Sequence, residues 1–81
     1  MPTKSLTHAY APPLVALGEA IRRSRASLEM SQEALALKIG LDRSYMGSVE
    51  RGEQNVALMN LAKIAAGLGM QPSQLLAAAG L

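Results

Sequence analysis

The chain has no cysteine, no phenylalanine and no tryptophan, and its one histidine is His8. Without cysteine there are no disulfides, no thiolate metal sites and no thiol nucleophile. A single imidazole argues against a histidine-based zinc centre. With Tyr10 and Tyr45 as the sole aromatics, the core has to be built from Leu, Ile, Val, Ala and Met. Such residues pack well between helices, and most of them favour helix. No apolar run approaches the ~18 residues of a membrane span, and the opening MPTKSLTHAYAPP lacks the apolar stretch of a secretory signal. A cytoplasmic location is therefore expected. Excess charge is small too: the net +2 gives only a slight preference for an anionic partner. Paired-carboxylate motifs, a Ser/His/Asp pattern and a phosphate-binding glycine loop are all missing, so neither an enzyme nor a cofactor is expected.

What is present is a short, helix-forming, 49% hydrophobic sequence. Its 81 residues suffice for one domain with a thin core. With disulfides and metals set aside, a second copy of the chain is the expected supplement. Residues 1–11 read as an arm ending at Pro12-Pro13, and residues 12–81 as the folded domain. A first helix is predicted over about Pro13–Leu28, with Leu14, Leu17, Ile21 and Leu28 on one face. Ser31 is an N-cap for a second helix over Gln32–Ile39, with Leu35, Ala36 and Ile39 inward, ended by Gly40. Asp42 caps a third helix over about Arg43–Arg51, which stops at Gly52. Two helices joined by so short a glycine-containing turn form a helix-turn-helix unit. A fourth helix is predicted over about Ala57–Leu68, with Leu58, Leu61, Ile64 and Leu68 on one face. A short fifth covers Pro72–Ala79. No strand pattern or internal repeat is present.

The runs Ser31-Gln32-Glu33-Ala34-Leu35-Ala36, Ile39-Gly40-Leu41-Asp42-Arg43-Ser44-Tyr45-Met46 and Val49-Glu50-Arg51-Gly52 resemble the phage repressor and Cro type of helix-turn-helix, the xenobiotic-response-element-like family. The resemblance continues through Asn55, Leu58, Leu61, Lys63-Ile64-Ala65, Leu68-Gly69 and Leu75, and so covers about residues 14–76. Among its members, short stand-alone regulators such as restriction–modification controller proteins are similar in length. The resemblance implies an all-α, five-helix, lambda-repressor-like domain, usually dimeric, whose third helix lies in the major groove of double-stranded DNA. Three departures from the family pattern stand out: Val56 replaces a common proline, Ala57 a common serine cap, and Gly47 with Ser48 longer groove-facing side chains.

Arg43, Ser44, Gly47 and Ser48 can share one face of the third helix, since residues three and four apart are neighbours. Matched to the family, Arg43, Ser44 and Ser48 lie against base edges. Arginine can donate to guanine O6 and N7 together, and serine can donate or accept. Gly47 would admit the backbone or a thymine methyl. Met46 and Val49 fall opposite and belong to the core. Gln32, in the first turn of the second helix, suits a phosphate site. Tyr45, Arg51 and Asn55 flank the reader as further phosphate candidates, with packing an equal alternative for Tyr45. The resemblance also implies a structural ion pair between Arg25 and Glu50. Arg22 and Arg23 are expected to be solvated or near phosphates, Lys38 and Lys63 to be surface charges. Leu75, Leu76 and Leu81 are expected to contribute a two-fold dimer contact, which would set two readers about 34–36 Å apart on a palindromic operator.

The expected function is a sequence-specific transcriptional regulator that binds as a homodimer, with no small-molecule effector domain and no membrane partner. Two alternatives use the same fold: a DNA-binding antitoxin holding a toxin with its arm or tail, and a protein-interaction module that has lost DNA.

Overall fold

The computed structural model describes residues 3–81; the first two residues assigned to the arm, Met1 and Pro2, lie outside the described part. Five helices follow in order: α1 (Pro12–Ser27), α2 (Gln32–Ile39), α3 (Arg43–Glu50), α4 (Leu58–Gly67) and α5 (Pro72–Ala78). No strand occurs among the described residues. The boundaries follow from local chemistry. The Ser31 hydroxyl accepts from the Ala34 amide at 3.0 Å, and the Asp42 carboxylate from the Tyr45 amide at 3.3 Å. Each satisfies an amide that a helix start leaves without a partner. Gly40 closes α2 at φ 70°, a left-handed conformation that glycine adopts without a Cβ penalty. Ala57 precedes α4 with no side-chain cap, as expected for alanine.

α1 packs on α3 and α5, α2 on α3 and α4, and α4 on α5. The core is aliphatic: Leu17, Ala20, Ile21, Leu35, Ala36, Met46, Val49, Leu61, Ile64, Ala65, Leu68 and Leu75 are buried. Ile39, Leu41, Tyr45 and Leu76 pack against it from the edge. Two residues predicted inward are not. Leu28 is half exposed because it caps α1 where the chain turns away through Glu29 at φ 53°. Leu58 opens α4 and is 72% exposed.

A close backbone approach fixes α3. A Cβ on Gly18 of α1 would stand 2.7 Å from the Glu50 carbonyl carbon and 2.8 Å from the Val49 carbonyl oxygen. Those are backbone atoms at the end of α3 and cannot swing aside. Glycine therefore lets α1 lie directly against the carboxyl end of α3.

Candidate nucleic-acid interface

α3 is held by one end and presented by the other. Every residue from Met46 to Glu50 is buried, whereas Arg43 and Ser44 are exposed. Met46 and Val49 anchor the helix in the core as predicted.

The predicted Arg25–Glu50 pair is present. Arg25 donates from Nε to Glu50 Oε2 at 2.8 Å and from Nη2 to Oε1 at 2.7 Å, a bidentate geometry. Its Nη1 also donates to the Met30 carbonyl at 3.0 Å, tying in the α1–α2 turn. The Glu50 side chain is 1% exposed and that of Arg25 15%. Hydrogen bonding to Glu50 raises the Arg25 pKa further, so the guanidinium stays charged. Arg22 is not simply solvated. Its Nη2 donates to the Glu50 carbonyl at 3.2 Å and its Nε lies 3.7 Å from Oε1. Arg23 and Lys38 also have structural partners, the carbonyls of Ala78 and Gly67.

Gln32, Arg43, Ser44, Gly47 and Arg51 line one open concavity of about 410 Å³, joined by Lys4 and Glu53. Arginine, serine and glutamine supply the donor set that reads base edges and phosphates. Gly47 forms part of its lining: a Cβ there would meet Arg51 Nη1 at 3.1 Å and Gln32 Oε1 at 3.3 Å. A larger side chain would displace both.

Ser48 corrects the sequence expectation. It is fully buried, and its hydroxyl donates to the Tyr45 carbonyl at 2.6 Å, so it does not share the open face of Arg43 and Ser44. Residues 52 and 53 turn back over this end of α3, with the Glu53 amide donating to the Ser48 carbonyl at 2.9 Å. Tyr45 packs against the core, and its hydroxyl accepts from Asn60 of α4 at 3.1 Å. Asn55 is exposed in the α3–α4 loop, and neither Tyr45 nor Asn55 lines the concavity.

Glu53 and Lys4 were missed from sequence. Arg51 donates to Glu53 from Nε at 2.9 Å and Nη2 at 3.3 Å, and the Tyr10 hydroxyl donates to the same carboxylate at 3.1 Å. Arg51, with Tyr10 assisting, holds the Glu53 carboxyl below its ordinary value of 4.5. The pair lies beyond the helix end, where no periodicity signals it. Lys4 reaches the site only through the fold.

Leu75 requires a second correction. It is fully buried in the core of its own chain and is not available to a partner. Leu76 is partly buried against that core, while Leu81 is 55% exposed. Among the described residues, no helix is long and apolar enough to cross a membrane, and no cluster of potential metal ligands occurs.

The arrangement is that of a helix-turn-helix domain with its second motif helix presented outward. A helix-turn-helix family model matches residues 21–75. The chain is 53% identical over 47 residues to the control protein C.MunI of Mycoplasma sp., covering 58% of this chain and 64% of that one. It is 47% identical over 60 residues to the control protein C.BamHI of Bacillus amyloliquefaciens, covering 73% and 74%. The crystal structure of the restriction–modification controller protein C.AhdI from Aeromonas hydrophila superposes with a TM-score of 0.74 at 48% identity, covering 76% of this chain and 94% of that one. The chain belongs to the helix-turn-helix family of DNA-binding transcriptional regulators, of the controller-protein type.

Proposed function

We propose that the protein is a sequence-specific regulator that binds a palindromic double-stranded operator as a homodimer, with α3 in the major groove. One observation carries the reading: Arg43 and Ser44 stand exposed on a helix whose other end is locked into the core, beside Gln32 at the start of α2. A reader has to be rigid where it is held and polar where it touches. Arg43 is the principal base contact, with a guanine as its natural partner. Ser44 is a second contact, and Gly47 leaves room for the DNA backbone or a thymine methyl to approach. Gln32 and Arg51 bind backbone phosphates and set the register. Tyr45 and Asn55 contribute at the margin. Ser48 supports the helix from within.

Dimerisation fits the small core and two-fold operators, and two-fold dimers are the commonest homo-oligomers. Leu81, with the outer edge of Leu76, remains the candidate contact on α5. The description of C.AhdI as a restriction–modification controller protein makes such genes the first targets to examine.

The test is selection of bound fragments from the genomic DNA of the source organism at near-physiological salt. Enrichment of a palindrome with half-sites about one helical turn apart is the expected result. A folded protein that enriches nothing would sink the reading and favour an interaction module. Co-purification with a small co-expressed partner would point to an antitoxin instead.

A further inference from the structure

Of the seven residues lining the concavity, six come from positions 32–53 and one, Lys4, from the amino-terminal arm. The arm is pinned there. The Ser5 amide donates to the Glu53 carbonyl at 2.9 Å and the Tyr10 amide to the Gly52 carbonyl at 2.6 Å. Gln54 Nε2 donates to the Thr3 carbonyl at 2.8 Å, and the Tyr10 hydroxyl holds the Glu53 carboxylate. Tyr10 has φ 65°, a conformation uncommon outside glycine, Asn and Asp. Such a conformation persists where surrounding contacts over-determine it. Here they do so from both its amide and its hydroxyl. The Lys4 ammonium lies 5.1 Å from the centre of the Tyr10 ring, within cation–π range.

The concavity holds three cationic side chains, Lys4, Arg43 and Arg51, against the carboxylate of Glu53. Arg51 is engaged with Glu53, so Lys4 and Arg43 are the lining cations that make no ion pair among the described residues. Arg43 lies on the reader itself. Lys4 has a compact, exposed ammonium suited to a phosphate rather than to bidentate base reading.

We infer that the arm is part of the DNA-contacting surface, with Lys4 as a phosphate-binding residue placed by Tyr10 and by the bond of Ser5 to the Glu53 backbone carbonyl. This rests on the DNA-binding reading above. The contact is independent of sequence, so it strengthens operator and random DNA equally. It also adds one counterion to those released on binding.

The test titrates the full-length protein with the selected operator and with an unrelated duplex, each over a range of salt concentrations. Lys4→Gln is expected to reduce the slope of log K against log salt by about 0.9 and to weaken both duplexes by about eightfold at 0.1 M salt. Lys4→Arg restores the slope. Tyr10→Ala produces a similar loss, and combining it with Lys4→Gln adds little, because both remove the same contact. An exposed arm residue leaves the thermal unfolding midpoint nearly unchanged, which separates the effect from misfolding. An unchanged slope in Lys4→Gln, while Arg43→Ala still reduces sequence preference, overturns the arm's role and leaves the DNA reading intact. Failure of the unsubstituted protein to bind either duplex at low salt overturns both.

Discussion

Two arginine–glutamate pairs flank the carboxyl end of α3, and their bonding is nearly the same while their surroundings are not. Arg25 and Glu50 meet through two hydrogen bonds of 2.7 and 2.8 Å, Arg51 and Glu53 through two of 2.9 and 3.3 Å. Glu50 is sealed in, at 1% exposure, under an arginine at 15%; Glu53 is 10% exposed beneath an arginine at 56%. Water and salt reach the second pair and hardly reach the first. The first can act as a strut, because breaking it strands a charge in the interior. The second can act as a latch, because an incoming phosphate can replace the carboxylate as the partner of Arg51. Burial, and not bond geometry, divides their roles.

The sharpest contrast comes from the same substitution in each pair. Removing one partner of a buried ion pair costs about 3–5 kcal/mol. Glu50→Gln is expected to destabilise the domain by that order, a large share of the stability of a small protein. Arg25→Ala should cost less than this, because Arg22 already lies 3.7 Å from Glu50 and can take over part of its charge. Urea unfolding of both variants measures the difference. If Glu50→Gln unfolds at the same urea concentration as the parent, the strut description is wrong. At the reader's other end, Arg43→Ala should leave unfolding unchanged and reduce discrimination between operator and random DNA by about 1–3 kcal/mol. Equal losses on both DNAs would demote Arg43 to a phosphate contact.

Much of this organisation was legible in the sequence, because caps are local. Ser31, Gly40 and Asp42 announce the limits of α2 and α3, and each makes the backbone contact its chemistry suggests. The errors share a cause: they lie where a distant segment covers or uncovers a face that periodicity treats as uniform. Ser48 is four residues from Ser44 and was placed on the same face, but the return of residues 52–53 and the approach of α1 at Gly18 close over the last turns of α3. Leu75 looked surplus to a small core, yet α5 packs on both α1 and α4 and takes it fully inside. Arg22 finds its place through a contact 28 residues away, and Lys4 through the bonds of its neighbours Thr3 and Ser5 to Gln54 and Glu53, which spacing cannot reveal. Sequence located α3; the fold showed which of its sides is left open.

Glu53→Gln, unlike Glu50→Gln, should act on DNA binding more than on stability. It removes the one carboxylate among the described residues that line a concavity otherwise holding Lys4, Arg43 and Arg51, and it loosens the hold on Arg51. Random DNA should bind several-fold more tightly at low salt, with the gain shrinking as salt screens the site. Discrimination should change little or decline, because the added attraction is to phosphates. Weaker binding to both duplexes would mean that Glu53 serves chiefly to position Arg51 for contact.

The smallest expected effect concerns pH. Arg51 and Tyr10 hold the Glu53 carboxyl below its ordinary value of 4.5, so the folded protein binds this proton less readily than the unfolded chain does. A depressed carboxyl contributes stability that is fully present above the unfolded value and is lost as pH falls through the folded one. The window therefore opens near 4.5 and extends downward. Glu53→Gln has no such group and loses the contribution at every pH. The difference in thermal midpoint between the parent protein and this variant should be present at pH 7, shrink below about 4.5, and approach zero in stronger acid. High salt at pH 7 should shrink it as well, because Arg51, one half of the pair, is exposed. A difference that persists unchanged through the acid range would show that glutamine at 53 disturbs the arm or the loop sterically. The comparison of strut and latch would then have to be argued from the DNA titrations alone.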